Sequence, residues 1–121
     1  MTNIDSNITY SPTGHNSSSD RAQETVNWNI EMAKEEAKRQ GLALGGEHLD
    51  VIHFLRNYYV ENGWPKRVHV LSRILDKTYR HTGGKRYLHQ LFPGGPLRQG
   101  AQLAGLPEIY NVVDKSFGTA Y

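Results

Sequence analysis

Residues 45–63 read "GGEHLDVIHFLRNYYVENG". Leu49, Ile52, Leu55 and Tyr59 recur at three- and four-residue steps, the period of an α-helix, and Val51, Phe54 and Tyr58 widen the apolar stripe. Gly45 or Gly46 can serve as a modest N-cap. Gly63 ends the helix, and Pro65 keeps it from resuming at once.

The same period extends in both directions. Upstream, "NWNIEMAKEEAKRQG" opens on Asn residues able to cap, places acids early and bases late, and closes on Gly41, all of which suit a helix dipole and a left-handed C-cap. Trp28, Met32 and Ala33 (or Glu36) would give it a narrow apolar stripe. Downstream, "KRVHVLSRILDKTYRHTGG" carries Val68, Leu71, Ile74 or Leu75, and Thr78, and ends at Gly83–Gly84. "KRYLHQLF" turns Leu88, Leu91 and Phe92 inward before "PGGP" stops it. A last short helix places Leu97, Ala101 and Ala104 on one face, with Pro96 in its first turn. The expected fold is mostly α, with about five helices.

The ends read differently. Residues 1–20 are rich in Ser, Asn and Thr and read as a flexible arm, in which "ITYSP" can contribute a short strand of a small N-terminal β-hairpin. The expected organisation is an arm over 1–20, a helical domain over 21–107 and a C-terminal arm over 108–121. With 121 residues, 37% apolar content and a mean hydropathy of -0.64, one domain burying roughly 65% of its unfolded surface can fold alone. The N-terminal residues lack a basic and an apolar signal region, and no apolar run approaches a membrane span, so a cytoplasmic protein is expected.

The 121 residues contain no cysteine, which excludes disulfides, thiolate metal sites and a cysteine nucleophile. The six histidines form no i,i+4 pair and no HExxH frame, so no metal site or cofactor is expected. Ser72 sits inside a predicted helix rather than on a nucleophile elbow, and "PGGP" lacks the spacing of a phosphate loop. Charge is the remaining signal. The net charge is +2, yet eight cations stand against the single acid Asp76 between Lys66 and Arg98. Such asymmetry suits either one basic surface facing an acidic protein or a nucleic acid, or simply a solvated, mixed-charge helical face.

Four blocks in order, "NWNIEMAKEEAKRQGLAL", "EHLDVIHFLRNYYVENG", "KRVHVLSRIL" and "GGKRYLHQLFPGGPLRQGAQLAGLP", make the chain resemble the DsrC/TusE/DsvC family of sulfur-relay and sulfite-reductase-associated proteins. The resemblance implies a compact helical bundle with a helix-turn-helix-like centre, a small N-terminal β element and an extended C-terminal arm. It also implies a reactive cysteine near the end of the arm and, in some members, a second one in the last helix. Here those positions hold Ala101 and Val112, and the chain continues for nine more residues to Tyr121. The sequence is similar to a divergent member that has lost both.

Persulfide and trisulfide chemistry needs a thiolate, and the Met32 thioether cannot replace one. The expectation is therefore of a protein that is not an enzyme. It would act by binding, occupying or regulating a docking site on sulfite reductase or a relay sulfurtransferase through Lys85, Arg86, Arg98, Glu108 and Tyr110. An alternative is a helix-turn-helix DNA-binding regulator of sulfur metabolism, using Lys66, Arg67, Arg73, Lys77 and Arg80. A third is a relay component in tRNA thiolation, disfavoured by the missing thiol. No membrane partner is expected.

Overall fold

The computed structural model describes residues 17–109 and two short strand segments beyond them. Six α-helices follow in order: α1 (Ser18–Glu24), α2 (Ile30–Arg39), α3 (Gly46–Asn62), α4 (Val68–Thr78), α5 (Gly84–Leu91) and α6 (Pro96–Leu103). A 3-10 turn, Arg80–Thr82, links α4 to α5. Strands β1 (Val113–Asp114) and β2 (Thr119–Ala120) pair antiparallel, Val113 opposite Ala120 and Asp114 opposite Thr119. The expected N-terminal hairpin lies outside the described residues. Among them, no helix is long and apolar enough to cross a membrane.

The central helix is α3. Val51, Ile52 and Leu55 are fully buried and Tyr59 nearly so, while Leu49, Phe54 and Tyr58 pack at the margin. Its start is capped at Gly45, whose N–H donates to His48 Nδ1 at 3.1 Å. The other His48 nitrogen lies 2.8 Å from the Leu91 carbonyl, so Nε2 carries the proton and ties α3 to the end of α5.

Helix α6 crosses α3 closely because Gly100 has no side chain: a Cβ there would stand 2.7 Å from Leu55 Cδ1. Leu97, Ala101, Leu103 and Ala104 complete the core from this side, as the three- and four-residue spacing predicts. Leu88, Leu91 and Phe92 do so from α5.

Helix α2 keeps part of its predicted face, since Ala33 is buried and Trp28 packs against the core, but Met32 leaves it. Ala33 and Ala37 are the buried residues, and Met32 stands 46% exposed. Two alanines bring α2 close to α6, a contact the longer Met side chain would hold open. Within the stretch read as an arm, α1 begins at Ser18, with the Ser17 hydroxyl accepting from the Asp20 N–H. It docks through Arg21, whose guanidinium donates to the Val60 and Glu61 carbonyls near the end of α3. Those carbonyls belong to the last turn, which has no partner within its own helix.

The predicted 66–84 helix is broken after Thr78. The Tyr79 hydroxyl donates to Asp50 at 2.8 Å, and Gly83 and Gly84 take positive φ. Asp76 Oδ1 accepts from the Lys85 N–H at 2.8 Å, so a carboxylate from α4 caps α5. A Cβ at Gly84 would come within 2.5 Å of that oxygen, which requires glycine there.

Candidate functional site: the hollow at the root of the C-terminal segment

The chain leaves α6 through Gly105, Leu106 and Pro107, and this root is held from several directions. Trp28 Nε1–H donates to the Leu103 carbonyl at 2.9 Å. Arg56 donates to the Ala104 carbonyl and to the Thr25 carbonyl, each at 2.7 Å, and its guanidinium lies 4.3 Å from the Trp28 ring centre. Two carbonyls at the end of α6 thus find donors from α3 and from the residue pair preceding α2. The stacked guanidinium adds a cation–π contact. Burial lowers the Arg56 pKa from its ordinary value. Further along, Trp64 Nε1–H donates to the Pro107 carbonyl at 2.9 Å while its ring packs on Tyr59. Ile109 is buried at 4% exposure.

On the opposite flank, Gln99 accepts from the Gly94 N–H at 3.0 Å and donates to Gln40 Oε1 at 2.8 Å. Gln40 in turn donates to Gln102 at 2.9 Å. This amide chain joins the "PGGP" turn, α6 and the end of α2, so the face of α6 that carries Arg98 and Gln102 is fixed on both sides.

Between that face and the root lies a hollow of about 140 Å³, lined by Arg98, Ala101, Gln102, Leu106, Glu108 and Ile109. Its chemistry is mixed: an exposed guanidinium and a carboxylate at the rim, an amide, and a floor of alanine, leucine and isoleucine. It has the volume for about one side chain, and its lining offers no thiol or hydroxyl. Among the described residues no group of three or more His, Asp or Glu is placed to hold a metal ion.

The residues singled out from sequence divide accordingly. Arg98, Glu108 and Ala101 come together at the hollow. Lys85 and Arg86 are exposed at the start of α5 and do not line it. Tyr110 and Val112 lie outside the described residues. Lys66, Arg67, Arg73, Lys77 and Arg80 are all exposed on or beside α4, but Arg80 is engaged with Asp76 at 3.2 Å. Sequence reasoning missed Arg56, Gln40 and Gln99. Each has partners more than thirty residues away, which no local spacing reveals.

Comparison with known proteins gives this geometry a family. Residues 17–112 match the family model described as DsrC like protein. The sulfurtransferase TusE of Salmonella choleraesuis is 36% identical over 87 residues, covering 71% of this chain and 80% of that protein. The TusE of Sodalis glossinidius is 38% identical over 82 residues, covering 67% and 76%. The NMR structure of Allochromatium vinosum DsrC superposes with a TM-score of 0.61 at 38% identity, over 73% of this chain and 80% of that one.

These relatives overturn the expectation of a protein that is not an enzyme. They bear the name sulfurtransferase, and a missing thiol bears on which atom carries sulfur, not on whether a chain takes part in its transfer. With a family model spanning 17–112 and relatives above one-third identity, the chain belongs to the DsrC-like family.

Proposed function

We propose that this chain takes part in sulfur transfer as a docking component. Its hollow at the root of the C-terminal segment would receive a protein partner that supplies the sulfur-bearing thiol. One observation carries the reading: the packing around Ala101 is built in full, with Trp28, Arg56 and Trp64 fixing the root, while the chain has no cysteine of its own. Preserved shape without a thiol points to recognition. The partner class would be that of the family resemblance, sulfite reductase or a relay sulfurtransferase, and Arg98 and Glu108 give the rim the charges to orient it. Lys85 and Arg86 would extend the cationic surface.

The test is affinity capture of the tagged chain from its host after nuclease treatment, alongside a variant with Lys85, Arg86 and Arg98 changed to Glu. Recovery of a thiol-bearing sulfur enzyme by the wild type, reduced at least about tenfold in the variant at unchanged helicity, supports docking. Equal recovery by both would remove these residues from the interface.

A further inference from the structure

Helix α4 presents a second surface, independent of the docking reading for α6. Positions 70, 73 and 77 step by three and four, so they share one side of the helix, and Lys66 and Arg67 stand immediately before it. Val70, Arg73 and Lys77 are all exposed there, Val70 at 39%, with Lys66 and Arg67 exposed at the entry and Ile74 half-buried between. None of the four cations forms an ion pair among the described residues. The one acid on the helix, Asp76, is already engaged by the Lys85 N–H and Arg80. The first turn carries no acid and no side-chain cap, so the positive end of the helix adds to the same field.

We infer that this face of α4 docks an acidic amphipathic helix of a partner protein. Val70 and Ile74, one turn apart, make a short apolar ridge flanked by Arg73 and Lys77, complementary to a helix with an apolar stripe and carboxylates beside it. A phosphate backbone would satisfy the cations but would leave that ridge without a counterpart, which is why a protein helix is the better occupant. Charge would set the encounter and orientation, and the ridge would supply the desolvated contact.

The probe is a fluorescein-labelled synthetic peptide of about 18 residues, with leucines at helical spacing between glutamates. It is compared with a scrambled peptide of the same composition and with a duplex DNA of about 20 base pairs. The full chain is expected to bind the amphipathic peptide at least about tenfold more tightly than the scrambled one, with amide shifts confined to α4 and its approach. Val70→Ser, and separately Arg73→Glu with Lys77→Glu, should each weaken binding about tenfold or more. Unchanged melting curves would show that these exposed positions leave the fold intact.

The inference is overturned by any of four results. The first two are that the peptide does not bind and that the scrambled peptide binds as well. The third is that the duplex binds more tightly, with affinity falling steeply in salt. Self-association abolished by the same variants would assign the face to a second copy of this chain.

Discussion

Gly41 and Gly105 form a matched pair that measures how firmly the root of the C-terminal segment is held. Each follows the end of a helix, with φ of 72° and 66°. In each case the next residue closes the same turn: Leu42 N–H donates to Ala37 at 2.8 Å, and Leu106 N–H donates to Ala101 at 3.0 Å. Changing either glycine to alanine places a side chain in left-handed backbone, at a cost of about 1 kcal/mol. The surroundings differ. A Cβ at Gly41 meets nothing within 4 Å, whereas one at Gly105 stands 2.6 Å from Trp28 Cδ1. That ring cannot simply swing aside, because Nε1–H is bonded to Leu103 and the Arg56 guanidinium lies across the face. Overpacking of this kind adds about 2 kcal/mol. Urea unfolding should therefore show a loss of about 1 kcal/mol for Gly41→Ala and about 3 kcal/mol for Gly105→Ala. Losses equal within about 0.5 kcal/mol, inside the usual scatter for independent sites, would refute the claim that Trp28 locks the root.

Arg56→Met should destabilise by about 3 kcal/mol in the same assay, because two carbonyls lose charged donors and Trp28 loses its cation. Asp76 has its pKa lowered by the Lys85 N–H and then by Arg80. Its stabilisation is thus present above the ordinary carboxylate value and lost as pH falls through the depressed one. Wild type and Asp76→Asn should accordingly converge in melting temperature at acid pH and diverge towards neutrality. Burial, then the hydrogen bond to Glu24, raises the Tyr59 pKa to about 12. Phenolate absorbance in wild type against Tyr59→Phe should show one tyrosine ionising late. The stability it contributes should decline as pH rises from about 10 through that value.

The helices were legible wherever apolar residues mark the buried face at helical steps. In α5 and α6, Leu88, Leu91, Phe92, Leu97, Ala101 and Ala104 are all buried where the period puts them. In α2 Ala33 is buried as its position predicts, but the second contact is Ala37, and a scale that ranks Met above Ala points to Met32 in its place. Helix α1 was missed because it has almost no apolar content. Its signal was the Ser17–Asp20 spacing of an N-terminal cap, and its anchor is an arginine bonding carbonyls some forty residues away. At the hollow, Arg98, Ala101 and Glu108 were recognisable from the "PLRQGAQLAGLPE" block. The Trp28–Arg56 clamp was not, since its partners are backbone carbonyls, which carry no sequence signature.

A competition measurement tests the central claim most directly: a cysteine-bearing relative is held on its protein partner, and this chain is titrated in while the bound fraction of the relative is followed. Docking through the α6 hollow predicts that the wild-type chain displaces the relative, and that the variant with Lys85, Arg86 and Arg98 changed to Glu needs at least about tenfold more protein to do so. A relative that stays bound at saturating concentrations of a folded wild-type chain would contradict the account.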